Sequence, residues 1–216
     1  MPGRQQASFR VFPLPGVVLF PGNLIPLRIF EARYRELLEK AMNDDKKIVL
    51  AMIRPHEEEK PFPGVFQVAG LGDVVHCQRM PDGTFQVILE GVSRVRLETE
   101  TLDGQVRVFK GRILPDVLKS ADKKPVEDML VELKSRLGTW IEKKLPEPIH
   151  ANVRERIDAA DTQGGLVDRM AGLMVHAVQH RQALLETPDV LQRTKMFETI
   201  TRWPGRGGPF AHTTMN

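Results

Sequence analysis

The side chains able to do chemistry are few and scattered. His176 and His180 stand four residues apart, a spacing that on one helix places two imidazoles over a single metal ion. A third ligand has no local source, and no Glu lies between them as in a zinc-protease helix, so a solvated or boundary pair is the plainer reading and no metal site is assigned. His56-Glu57-Glu58-Glu59 reads as an acidic loop. His76 and Cys77 are neighbours in a strand-like run, where successive side chains point to opposite faces, which argues against a thiolate–imidazole pair. Gly70-Leu71-Gly72 lacks the third glycine of a dinucleotide fingerprint and no helix follows it, so it reads as a bulge or a close backbone approach. No two carboxylates stand out for acid–base work. On these residues alone an enzyme would need a constellation that the sequence does not show, and no cofactor is expected.

Two surfaces qualify. The segment from Arg54 to Phe66 interleaves Glu57, Glu58, Glu59 and Lys60 with Pro55, Pro61 and Pro63, and carries Phe62 and Phe66. A proline-rich loop offers Phe62 few local neighbours. It either anchors the loop on the body of the protein, the plainer reading, or stands out as an apolar lip for a polypeptide, with Met80 on a neighbouring hairpin as an adaptable second contact. Phe62, Phe66 and Met80 are thus the candidate substrate-binding residues. The alternative is RNA, motivated by a pI near 9.1 and by Arg94, Arg96, Arg107, Lys110 and Arg112 along adjacent strand-like runs. Against it, 31 basic residues face 28 acidic ones for a net charge of +3, no polybasic block occurs, and a single Tyr leaves little to stack bases.

The elements that position these residues belong to an ordinary globular chain. With 216 residues, 41% of them hydrophobic and 27% charged, it has the length of one large domain or two small ones. The single cysteine, Cys77, excludes an intramolecular disulfide and agrees with a reducing compartment. The apolar stretch from Val11 to Leu27 is broken by Pro13, Pro15, Gly16, Pro21, Gly22 and Pro26, so neither a signal segment nor a spanning helix is expected there. The expected location is the cytoplasm, with no membrane partner.

Up to about Leu118 the grammar is that of strands: Phe9 to Phe12, Leu24 to Ile29, Ile48 to Ile53, Val65 to His76, Phe85 to Leu89, Ser93 to Leu97 and Val106 to Leu114. Phe85, Val87 and Leu89 alternate with Gln86, Ile88 and Glu90, which gives one fully apolar face. Pro81-Asp82-Gly83 and Asp103-Gly104 mark tight turns. One helix interrupts the strands, from Phe30 to Met42, with Phe30, Tyr34, Leu37, Leu38 and Ala41 on its apolar side. Beyond the proline-bounded stretch Pro115 to Pro125 the period becomes helical. Helices are predicted over Val126 to Lys144, Ile149 to Asp158, Leu166 to Leu185 and Val190 to Trp203, with Pro188 and Asp189 opening the last.

Several segments together carry a resemblance. Phe12-Pro13-Leu14, Val18-Leu19-Phe20-Pro21-Gly22 and the run from Ile25-Pro26-Leu27 through Phe30-Glu31-Ala32-Arg33-Tyr34 resemble the opening of the Lon protease N-terminal, or substrate-binding, domain. Gly70 to Val75, the hairpin at Pro81-Asp82-Gly83 and Leu89 to Val95 are similar to its central strands. Gln182 to Glu186, followed by Asp189 and Arg193, is similar to the end of its helical part. The resemblance implies an α+β fold: a PUA-like β-pseudobarrel with one helix over 1–118 and an α-helical bundle over 119–203, and the Gly- and Pro-rich composition of 204–216 predicts a flexible tail. It also implies a non-catalytic role in recognising polypeptides, including unfolded or apolar segments, in protein quality control. The sequence has no Gly-Lys dipeptide for a phosphate-cradling loop and no segment matching the protease's Ser-Lys pair, so a stand-alone binding domain is expected. Its partners would be polypeptide clients or a protease, with a second copy of the chain a further candidate.

Within the matching segments Phe20, Pro21, Gly22, Pro26, Leu27, Phe30, Glu31, Tyr34 and Arg94 read as structural. The aromatics and leucine belong in the core, and the prolines and glycine set turns and edges. Glu31 and Arg94 are polar residues in apolar surroundings. They are expected to be partly buried and paired, because an unpaired buried charge is costly.

Overall fold

The computed structural model describes residues 6–144, 146–147 and 149–201. The chain divides into two compact units, Met1–Pro115 and Asp116–Asn216. The expected tail over 204–216, and the end of the last expected helix at Trp203, lie outside the described residues.

The first unit is a mixed six-stranded sheet with one helix. The strands are β1 (Ala7–Leu14), β2 (Leu24–Ile29), β3 (Lys47–Met52), β4 (Val68–Arg79), β5 (Phe85–Asp103) and β6 (Val106–Leu114), and the helix α1 (Ala32–Met42) follows β2. Their order is β2-β5-β4-β3-β1-β6, and β6 also pairs with β5. Only β1 and β3 run parallel, with Val11 opposite Val49. The sheet is barrel-like and not fully closed: the second half of β5 meets β6, and β2 hangs on the first half of β5 as an extra edge strand.

β5 unites the two strands expected over Phe85 to Leu89 and Ser93 to Leu97. Its alternation is as read from the sequence: Phe85, Val87 and Leu89 are buried. β3 has no polar alternation because both its faces are covered. Ile48 and Leu50 join a core with Leu19, Leu37, Leu38 and Leu89, whereas Val49 and Ala51 join a second one with Val11, Val95 and Phe109.

The segment between β1 and β2 lies directly on the sheet, and two glycines make room for it. A Cβ on Gly70 would stand 2.0 Å from the Leu19 carbonyl oxygen, and one on Gly91 2.0 Å from that of Phe20. Leu19 and Phe20 are thereby fully buried, and the Gly22 N–H donates to the Gly91 carbonyl at 2.8 Å. The Gly70-Leu71-Gly72 run holds both features its sequence suggested, since the β4–β5 register also shifts at Leu71/Gly72.

One core assignment is corrected. Phe30 is 64% exposed. Ile29 closes β2 pointing inward, alternation turns the next side chain outward, and α1 starts only at Ala32, so Phe30 never joins the helical stripe of Tyr34, Leu37, Leu38 and Ala41.

The second unit is helical: α2 (Lys123–Lys144), α3 (Ile149–Asp158), α4 (Gln163–Met174), α5 (Val178–Leu185) and α6 (Val190–Ile200). The single helix expected over Leu166 to Leu185 is two. Val175 and Ala177 are extended, with ψ 112° and 115°, which turns Val175 into the core and leaves Leu173 and Ala177 outside the expected apolar stripe. Thr162 caps α4 by accepting from the Gly165 N–H, and Asp189 caps α6 by accepting from that of Gln192, both at 2.9 Å. At the centre is Arg193, wholly buried. It donates to both Asp116 carboxylate oxygens at 2.9 and 2.7 Å and to the Thr187 carbonyl at 2.8 Å, and its Nε lies 3.1 Å from Asp168.

Candidate functional site

The loop after β3 is closed at its neck and held from outside. Ile53 bridges Val65, the Arg54 N–H donates to the Gly64 carbonyl at 2.9 Å, and the Phe66 N–H to the Met52 carbonyl at 2.9 Å. Inside the neck Glu57 accepts from the Gly64 N–H at 2.5 Å and pairs with Lys60 at 3.4 Å. The Gly64 hydrogen bond, then Lys60, hold the Glu57 carboxyl below its ordinary range. His56 takes a left-handed backbone, φ 64°, in the turn that Glu57 closes.

Three arginines grip alternate carbonyls on the return limb. Arg33 reaches Pro61 at 3.2 Å, Arg107 reaches Pro63 at 2.7 Å and Arg54 reaches Val65 at 3.1 Å. The loop's anchors are therefore arginines, and Phe62, between two gripped prolines, remains 59% exposed. Beneath it a crevice formed with Val11, Pro13, Tyr34, Leu37 and Val106 leaves a cavity of about 10 Å³, room for no more than a water. Tyr34 packs its ring on Phe12, 4.4 Å between centroids, and burial raises its hydroxyl pKa.

The three candidate binding residues take different situations. Phe66 is half-buried where the chain leaves the loop for β4, and Met80 is half-buried at the β4–β5 hairpin, its N–H donating to Thr84 and its carbonyl accepting from Gly83. Neither lines the crevice under Phe62. Only Phe62 combines large exposure with a fixed main chain.

The expected Glu31–Arg94 pair does not form. Glu31, the extended residue just before α1, binds Arg33, two residues on, with contacts of 2.8 and 2.9 Å near the surface. Arg94 is in β5, opposite Gly70 and Leu114, and is 2% exposed. The basic residues that motivated RNA are largely engaged within the fold. Arg94 and Arg107 are buried, Arg107 and Arg112 pair with Glu100 and Glu98, and of the five only Lys110 is exposed.

His176 lies in the break before α5 and His180 within it, so they do not share the continuous helix their spacing suggested; both are exposed. Among the described residues no three His, Cys, Asp or Glu side chains cluster so as to hold a metal ion. Burial raises the Cys77 thiol pKa, away from thiolate reactivity. Among the described residues no helix is long and apolar enough to cross a membrane. A larger open cleft, about 510 Å³, lies between α2 and α3, but its rim charges are matched: Lys134 with Asp158 at 2.5 Å and Arg154 with Glu142 at 2.6 Å.

Sequence reasoning did not single out Arg33 and gave Arg107 to a nucleic-acid surface. Their targets are main-chain carbonyls 28 and 44 residues away, which leave no periodic trace.

The first unit is thus a barrel-like sheet that holds one large aromatic side chain exposed on a fixed loop, and the second is helical. The chain belongs to the family of the ATP-dependent protease La (LON) substrate-binding domain, whose sequence model matches residues 8–201. It is 32% identical over 191 residues to Lon protease of Haemophilus influenzae, covering 87% of this chain and 23% of that protein, and 30% identical over 192 residues to Lon protease of Escherichia coli K12, covering 88% and 24%. The chain thus spans about a quarter of the length of the curated relatives it matches. Two solved structures share the fold. The Lon N-terminal domain protein from Xanthomonas campestris has a TM-score of 0.61 at 20% identity, covering 89% of this chain and 98% of that one. The N-terminal domain of Mycobacterium avium complex Lon protease has a TM-score of 0.68 at 16% identity, covering 89% and 97%.

Proposed function

We propose that this chain binds polypeptides non-catalytically, taking apolar segments of unfolded or partly unfolded clients against Phe62. Family membership supports a substrate-binding role, and the observation that carries the finer reading is an aromatic side chain left 59% exposed on a loop whose backbone is gripped on both sides. Exposed aromatics on fixed backbone gain contact area with little loss of conformational freedom, which is why they dominate interface energetics. Phe66 and Met80 are auxiliary contacts for longer segments, Met80 supplying an adaptable surface. One apolar anchor suits a surface that must accept many sequences. A protease acting on the captured client, in the same assembly or in trans, is the partner this reading calls for, and cytoplasmic protein quality control is its setting. RNA recognition through a PUA-like barrel is the weaker reading, given the internal pairing of the basic residues.

The direct test is fluorescence anisotropy with a labelled peptide of alternating Leu, Phe and Ser. The protein is expected to bind it at micromolar concentration, largely independently of salt, and Phe62→Ala to weaken it about tenfold. No retention of the peptide, or salt-sensitive binding of single-stranded RNA in its place, overturns the proposal.

A further inference from the structure

Phe62 is bracketed by two arginine arms built to one plan, and we infer that Arg33 and Arg107 are positioning residues that hold it ready for an apolar polypeptide segment. The inference rests on the function proposed above and adds how the contact is prepared. Each arm has the same three parts. The guanidinium donates to a proline carbonyl on one side of Phe62, Arg33 to Pro61 at 3.2 Å and Arg107 to Pro63 at 2.7 Å. A carboxylate orients it: Glu31 takes Nε of Arg33 at 2.9 Å, and Glu100 takes Nε and Nη2 of Arg107, the latter at 2.9 Å. An aromatic face lies close by, Tyr34 at 4.6 Å from the Arg33 guanidinium carbon and Phe109 at 5.5 Å from that of Arg107.

Chemistry explains why arginine fills both places. Pro61 and Pro63 have no N–H, so the main chain on either side of Phe62 presents only acceptors, and long forks of fixed charge reach them from α1 and β6. Prolines also fix φ near −65°, which stiffens the segment from within. The ring cannot retreat inward, because the crevice beneath it is already filled to about 10 Å³. Without the arms the loop would have to be ordered when a client arrives, and the loss of loop freedom would be subtracted from the affinity. Arg33, with 37% of its side chain exposed, is the arm that can be cut without opening the core.

The experiment compares the full chain with Arg33→Ala, Arg33→Lys, Phe62→Ala and the double variant Arg33→Ala/Phe62→Ala, using the labelled Leu/Phe/Ser peptide. Arg33→Ala is expected to weaken binding about threefold to fivefold, with the thermal midpoint nearly unchanged, and Arg33→Lys to recover part of the loss through one restored donor. In the Phe62→Ala background Arg33→Ala should add nothing, since it acts only through that ring. Amide exchange over 60–64 should quicken at least about tenfold in Arg33→Ala, a readout independent of any peptide. If Phe62→Ala leaves affinity unchanged, the proposed function fails and takes the positioning role with it. If Phe62→Ala weakens binding but Arg33→Ala does not, or Arg33→Ala costs the same with and without Phe62, only the positioning role is overturned. Unchanged exchange over 60–64 also overturns it, and should Arg33→Ala not fold, Glu31→Gln, which releases the same arm, replaces it in every comparison.

Discussion

Each unit of the chain is organised around buried arginine, to opposite ends. In the helical unit Arg193 is fully enclosed, ties Asp116, Asp168, Thr187 and Gly164 together, and exposes nothing. In the barrel-like unit Arg107, 7% exposed, uses the same chemistry to reach outward and fix a loop whose side chain stays in water. The first arrangement converts a buried charge into a junction between the start of the unit, α4 and α6; the second converts one into a display. Gly164 marks how tightly the junction is built, since a Cβ there would meet Asp116 Oδ2 at 1.9 Å. The display leaves Phe62 freedom of substitution.

This contrast predicts very different responses to truncation. Arg193→Ala removes a cation that faces two carboxylates, one of which is 1% exposed, and should cost about 3–5 kcal/mol in chemical denaturation. A loss below about 1 kcal/mol would mean that the junction is not structural in this sense. Gly91→Ala should follow at about 3 kcal/mol, because the added carbon lands on the Phe20 carbonyl and Phe20 must leave its site. A variant of wild-type stability would show that the crossing segment can shift freely. Phe62→Ala should change stability by less than about 1 kcal/mol, its ring being mostly in water, while still affecting binding.

The smallest effect concerns acid. Glu57 is held below its ordinary value of 4.5 mainly by the Gly64 N–H, so its closure of the loop neck contributes fully above that range and is lost as pH falls through the lowered value of the folded state. Amide exchange at Gly64, corrected for its intrinsic pH dependence, should rise only in that acidic window, and Glu57→Gln should abolish the change. An identical pH profile in both proteins would remove Glu57 from the account.

How much of this was legible follows the range of the interactions. The bounds of β2 at Leu24–Ile29, β6 at Val106–Leu114 and α3 at Ile149–Asp158 came directly from periodicity, since each element repeats one local pattern. Phe30 was misread because strand alternation and helical spacing overlap at the joint between β2 and α1, and the strand prevails. The break at Val175 to Ala177 itself contains no Gly or Pro, Gly172 standing inside the last turn of α4, and it coincides with burial of Val175. Phe62 was legible as the interesting residue of a proline-rich loop. The arms that hold it were not, because Arg33 and Arg107 act on carbonyls that every residue possesses.

On this reading Phe62 serves binding and not the fold. Peptide affinity and unfolding free energy, measured on the same preparations of wild type and Phe62→Ala, test it most directly. Affinity is expected to weaken about tenfold, with stability changed by less than about 1 kcal/mol. Equal affinity, or a loss of stability large enough to account for the loss of binding, would contradict it.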